Sequence, residues 1–375
     1  MFSSAGSSQR KHNVLFIITG LTVTLFLLFI AGCYPDFVDV YYTNGFYQGI
    51  SLVLHFVFGW LPISIGDLIY IFLIAALIYS IVSFIKSLVG KKHSAIKINI
   101  LRFIIGLQTF AVIFYLFWGL NYSRPPAAQI LNLTDSVYTL TELKAVTALM
   151  IDSTNATRAR LTAKDLSVSN TQIYNQAINA IKGLAYTNNN FKSHYPSVKP
   201  ALFTPLINYF STAGYFNPLT GEAQVNYSMP KTSRPFTSCH ELAHQIGFAR
   251  EDEANFVGFL AAKQSSDVLL KYSGYYMAMQ EFMRNIYRRD SIGFKQLKLR
   301  LSTGVKRDLK ADNQYWEKYE SKLNAISGLF YDSFLKLNNQ PEGIRTYNRM
   351  IILTMAYFKR EAALHKINIK QEITD

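Results

Sequence analysis

Cysteine is nearly missing from this chain: 375 residues carry only Cys33 and Cys239, with no CxxC pair. That excludes a thiolate zinc ribbon and a disulfide-stapled scaffold. Charge is also scarce, at 17% against 50% apolar residues, so the chain is not disordered and its composition leans towards membrane proteins. The formal net charge is +14, but the basic residues are scattered, and no Lys/Arg stripe with interleaved aromatics occurs. Nucleic acid is therefore not expected as a partner. A lipid bilayer with an anionic surface accounts for the excess. One stretch, Tyr34 to Gly66, has no Lys or Arg at all and carries Asp36 and Asp39.

What is present in the first third is apolar sequence. A helix needs about 20 apolar residues to span a bilayer, and three runs qualify, at 14–32, 68–89 and 103–120. A shorter apolar segment, 46–60, reads as an interfacial or re-entrant helix closed by Pro62 in preference to a full extra span. Arg10 and Lys11 precede the first span, and Lys86, Lys91, Lys92, Lys97 and Arg102 cluster around the loop between the second and third. Short basic loops stay in the cytoplasm. The expected topology is a multi-pass protein of the cytoplasmic (inner) membrane with its N-terminus inside and everything after Tyr122 extracytoplasmic, or periplasmic. Ile30-Ala31-Gly32-Cys33 has the form of a lipoprotein processing site, with a small-residue helix end as the other reading. Neither alters the topology after Cys33.

Arg124-Pro125-Pro126 marks the start of a second domain, since paired prolines end helices. Residues 140–151 and 172–184 read as amphipathic helices, and long helical periodicity returns over 269–288, 314–337 and 347–364. The alternation Glu222-Ala223-Gln224-Val225-Asn226-Tyr227, after turn signals at Gly214, Asn217-Pro218 and Gly221, predicts a short strand or hairpin.

The chemistry concentrates in His240-Glu241-Leu242-Ala243-His244. Histidines four apart on a helix share a face, about 5–6 Å apart at Cβ, which lets both rings reach one ion. Neutral imidazole suits zinc, at bond lengths of about 2.0–2.1 Å. Glu241 is turned about 100° from His240, so it does not join the ligand set. It borders the open position, where it can take a proton from water whose pKa zinc lowers to about 7. Pro235, with Thr237 or Ser238 as N-cap, supplies the helix start. Cys239 lies off the histidine face and reads as packing.

A catalytic zinc usually takes three protein ligands. On an unbroken helix Glu251 would lie about 10 Å along the axis from His244, out of reach. Gly247 can adopt the left-handed conformation that ends a helix, turning the chain so that a second helix starts near Arg250. There Glu251 and Asn255 share a face, whereas Glu253 points elsewhere. Glu251 is the preferred third ligand and Glu253 the alternative, with Asn255 placed to orient a histidine or the carboxylate. Asp252 and the remaining glutamate read as a solvated first turn favoured by the helix dipole. Arg250, Arg345 and Tyr347 are candidate donors to an oxyanion. His55 and His194 have no partner pattern and read as structural.

The histidine motif followed by Glu251-Asp252-Glu253-Ala254-Asn255 resembles the gluzincin metallopeptidases, in which a glutamate opens an E-x-x-A-[DN] helix. The resemblance implies Glu251 as third ligand and Asn255 as its i+4 companion. The interval from His244 to Glu251 is much shorter than in most gluzincins. Gly247 resembles the metzincin turn, but the metzincin third-ligand position falls on Arg250. Taken whole, the three spans, Trp118 to Tyr122, Gly221 to Asn226 and the histidine motif resemble an uncharacterised bacterial membrane family with no assigned substrate.

The implied fold is mainly α: a membrane domain over 1–121, then a helix-dominated α+β domain of zincin type over 122–375. The implied activity is hydrolysis of a protein or peptide substrate by zinc-activated water, with one Zn2+ and Glu241 as general base. In such enzymes an edge strand upstream of the zinc helix commonly holds substrate backbone. Gly221 to Tyr227 is expected either there or as a structural hairpin. The alternative function is a membrane-tethered, zinc-stabilised binding or assembly protein without catalysis. Intramembrane proteolysis is disfavoured, because Arg234, Arg250, Glu251 and Asp252 flank the motif.

Overall fold

A computed structural model describes residues 2–133, 137–338, 340 and 349–364. The chain is mainly helical with one three-stranded sheet. It divides into two compact units, neither continuous in sequence. One comprises Met1–Ser51, Ile65–Arg124 and Pro218–Thr220, the other Leu52–Ser64, Pro125–Asn217 and Gly221–Asp375.

In the first unit, Asn13–Gly32, Ile65–Val89 and His93–Phe117 are helices long and apolar enough to cross a membrane. Their large side chains point outward, as at Phe16 and Phe72, an apolar surface suited to lipid rather than to water. Polar pairs join the helices. Gln108 Nε2 donates to Thr22 Oγ1 at 2.9 Å, and Asn99 Nδ2 donates to Ser87 Oγ at 3.1 Å. The last of these helices starts ten residues before the apolar run at 103–120, because Lys91 takes a left-handed turn (φ 50°) and nothing after it breaks the helix. Lys97 and Arg102 fall in its second and third turns. Between the first two spans the chain is π-helical over Val38–Phe46 and α-helical over Tyr47–Phe58. A π-turn leaves no standard periodicity to read in sequence.

In the second unit, Leu52–Ser64 shows an inverted pattern. His55 and Ser64 are buried while Phe56 and Trp60 are exposed. The buried Lys199 ammonium holds this segment, donating to the carbonyls of Phe58 at 2.6 Å and Ile63 at 3.0 Å and to Glu222 Oε1 at 2.6 Å. Those three acceptors match the three protons of the ammonium. His55 Nδ1 pairs with the His194 carbonyl at 2.5 Å, a structural contact for both residues.

The sheet order is β1 (Val198–Pro200), β3 (Glu222–Val225), β2 (Gly214–Asn217). β2 and β3 form an antiparallel hairpin, and β1 adds parallel to β3. β3 is therefore central and fully buried, which corrects the expectation that Gly221 to Tyr227 is an edge able to take a substrate strand. β1 is three residues long and ends in proline, so it carries no alternation to reveal it.

The helical core packs Val268–Arg289 along Leu140–Arg160. The helix Glu251–Gln264 lies against Arg234–Gln245, Asn170–Ala185, Val268–Arg289 and Met350–Leu364, and every residue from Glu251 to Ala262 is buried. The run at 314–337 is two helices, Thr303–Glu317 and Lys322–Leu337.

Candidate metal centre

Two helices build the site: the histidine helix, Arg234–Gln245, and the glutamate helix, Glu251–Gln264. The first starts with Pro235 in its opening turn and Ser233 at the N-cap, without a side-chain cap. This corrects the assignment of Thr237 or Ser238 as cap. Their hydroxyls instead bond back to the carbonyls of Ser233 and Arg234 inside the helix, because proline already pre-forms the start.

The chain reverses at Gly247, whose φ is 94°. The Phe248 amide donates to the Ala243 carbonyl at 3.1 Å and the Gly247 amide to the His244 carbonyl at 3.0 Å, the paired bonds of a Schellman turn. The turn also returns the Phe248 carbonyl to within 2.8 Å of His244 Nδ1. That bond places the ring proton on Nδ1 and leaves the Nε2 lone pair directed inward.

Close packing completes the pairing. A Cβ on Gly258 would stand 3.1 Å from the His240 amide nitrogen and 3.3 Å from its Cα, so glycine there lets the two helices touch at His240. Gly258 lies seven residues beyond Glu251, two turns along the same face.

His240, His244 and Glu251 each offer a ligand atom within 4.8 Å of the others. The separations are 3.1 Å between the two Nε2 atoms, 3.2 Å from His240 Nε2 to Glu251 Oε2, and 3.6 Å from His244 Nε2 to Glu251 Oε1. Ligand atoms on a tetrahedral ion at about 2.0–2.1 Å stand about 3.3 Å apart, so the donor set fits one face of such a tetrahedron. Glu241 Oε2 and His240 Nδ1 are buried without a hydrogen-bond partner among the described residues.

The charges of these groups depend on one another. Burial pushes the Glu241 carboxyl up to about 7, partly offset by His240 and His244. Burial opposes the charged form of His244, but Glu251 and Glu241 outweigh it and raise the imidazole to about 9. Burial likewise opposes charge on Glu251, yet the two histidines hold it well below the usual carboxylate range.

The remaining acids are not solvated. Asp252 and Glu253 are buried, which corrects the reading of an exposed first turn. Glu253 Oε1 accepts from the Ala127 amide at 2.8 Å and faces Arg250 at 3.5 Å, so it is occupied away from the histidines. Burial and Glu253 push Asp252 up to about 7, against the opposing charges of Arg349 and Arg250. Asn255 is buried one turn beyond Glu251, and its amide nitrogen has no hydrogen-bond partner among the described residues. The groups that reach Glu251 come from elsewhere: Tyr331 donates its hydroxyl to Glu251 Oε1 at 2.5 Å, and Gln340 Oε1 accepts from the Glu251 amide at 3.3 Å. Arg345 and Tyr347 lie outside the described residues. Cys239 is packed in the core, and burial pushes its thiol up.

Two further residues shape the site. Gln245 bonds the backbone of Ser197 and Gly221, tying the sheet to the end of the histidine helix. Gly214 of β2 abuts the acid: a Cβ there would stand 2.7 Å from Glu241 Oε1.

The family described as "Protein of unknown function (DUF3810)" matches residues 42–355. Searches of curated proteins and of solved structures each return no match.

Proposed function

The chain belongs to the DUF3810 family, and from that premise we propose that it is a membrane-anchored, zinc-dependent metallopeptidase of zincin type. The observation that carries the reading is the convergence of His240 Nε2, His244 Nε2 and a Glu251 oxygen at tetrahedral spacing, beside a buried Glu241 with an unpartnered oxygen.

In this reading His240, His244 and Glu251 would hold one Zn2+. Zinc there supplies a Lewis acid that lowers the pKa of water to about 7. Glu241 takes the proton from the attacking water and passes it to the leaving amine of the peptide bond. Its raised affinity for a proton suits that exchange near neutral pH. The Phe248 carbonyl fixes the His244 tautomer, and Gly247 and Gly258 hold the two ligand helices together.

The three apolar helices anchor the chain in a bilayer. Basic residues around the loop between the second and third spans support a cytoplasmic N-terminus in the inner membrane. The proposed catalytic unit is then extracytoplasmic, acting on a protein or peptide substrate in the periplasm. Its inclusion of Leu52–Ser64 together with Pro125 onward supports this topology, since two crossings separate the segments and return the chain to one side.

The test uses the full-length chain in detergent, wild type against Glu241→Gln. Both should carry one zinc by elemental analysis, and only the wild type should cleave a peptide library read by mass spectrometry. A wild type without stoichiometric metal would sink the proposal. Zinc in both proteins and cleavage in neither, with unfolding on metal removal, would instead favour a zinc-stabilised binding or assembly protein.

A further inference from the structure

Glu251 meets the histidines with both oxygens. Oε2 lies 3.2 Å from His240 Nε2, and Oε1 lies 3.6 Å from His244 Nε2. A carboxylate so placed can give a metal one oxygen or two, and the second oxygen would take the position that catalysis needs open. The backbone does not decide between them. The Glu251 amide is held by Gln340 at the helix start, which leaves the rotation of the carboxylate to its side-chain contacts.

Tyr331 fixes that rotation. Its hydroxyl donates to Oε1, the oxygen farther from its nearest imidazole, at 2.5 Å. Apart from the two histidines, no other side-chain donor reaches the Glu251 carboxylate among the described residues. A hydrogen bond donated to one carboxylate oxygen draws its electron density away from the metal and pins its direction. Tyr331 comes from a different helix, Lys322–Leu337, and is 39% exposed, its ring stacked on Phe334 at 6.3 Å. The ring is a surface fixture, and only its hydroxyl reaches inward.

We infer that Tyr331 sets the denticity of Glu251, holding the carboxylate to one metal bond through Oε2 and so keeping the fourth position open. The inference rests on the zinc reading above and makes Tyr331 a positioning residue. It needs no change in metal number, only in how many oxygens bind.

The test replaces zinc with Co2+ in the full-length protein and compares visible spectra, which report coordination geometry. Tyr331→Phe should keep one Co2+ per chain while its visible absorption falls about twofold or more, as Glu251 binds through both oxygens and the coordination number rises. Phe334→Ala, which removes the stacked ring but keeps the hydroxyl, should leave the spectrum as in the wild type. An unchanged spectrum in Tyr331→Phe would overturn the inference. So would loss of Co2+ from that variant, which would assign the hydroxyl to metal retention, or an equal spectral change in Phe334→Ala. A wild type that takes up no Co2+ is a different failure, since it removes the metal reading itself.

Discussion

Replacing Gly214 with alanine tests whether Glu241 has to sit where the sheet places it. The new Cβ would stand 2.7 Å from the Gln224 carbonyl oxygen, 2.7 Å from Glu241 Oε1 and 3.0 Å from Glu241 Cγ. Ordinary contact begins at 3.4 Å, so 3.4 − 2.7 = 0.7 Å of movement must be found. Gln224 cannot supply it, being fully buried in the central strand and paired across the hairpin with Tyr215. Glu241 must yield. Misplacing a catalytic group by about 1 Å costs on the order of 10²-fold in rate, and the overpacking itself costs about 1–3 kcal/mol. On the zinc reading proposed above, the alanine variant should keep one zinc, since none of the three proposed ligands is touched. It should lose about 2–12 °C in Tm and cleave the best wild-type peptide about 100-fold more slowly. The assay is initial rate on that peptide, with zinc counted on the same sample. A wild-type rate would refute the placement of Glu241 against β2, and loss of zinc would show that the strand supports the ligands rather than the base.

Gly258→Ala pushes the glutamate helix off the His240 backbone, and zinc affinity should fall by about tenfold or more in competition with a chromophoric chelator; an unchanged affinity would dissociate that contact from the metal site. Gly247→Ala places a side chain at a φ of 94° and should cost about 1–2 kcal/mol in denaturant unfolding, with no loss counting against the Schellman turn. Lys199→Met leaves the buried Glu222 without its cation and should cost about 3–5 kcal/mol, while Lys199→Met with Glu222→Leu should recover most of it. Equal thermal midpoints for the single and double variants would show that the unpaired Glu222 charge is not what the single variant suffers from.

The sequence made His240, His244 and the Gly247 reversal legible because each rests on local geometry: a four-residue spacing on one helix face, and a glycine where only a left-handed residue continues the chain. The structure brings Glu251 to the same point. Tyr331 and Gly214 were not legible. Tyr331 lies 80 residues from Glu251 on an ordinary amphipathic helix, and Gly214 reads as one turn glycine among several. The buried state of Asp252 and Glu253 was misread for the same reason: an acidic first turn looks alike in water and in a core until the Ala127 amide and Arg349 arrive from distant parts of the chain. β1 has too few residues to announce itself, and it alone turns β3 from an edge into a centre.

The Lys199 clamp also imposes an order on biogenesis. Its acceptor at Phe58 leaves the ribosome 141 residues ahead of its donor, and two apolar helices are made in between. If both helices cross the bilayer, donor and acceptor meet in one compartment. If either fails to insert, a buried lysine and the carbonyls that should saturate it are stranded on opposite faces of the membrane. The two hydrogen bonds to Phe58 and Ile63 would then act as a check on membrane insertion, because only a correctly threaded chain could close the unit that carries the histidines.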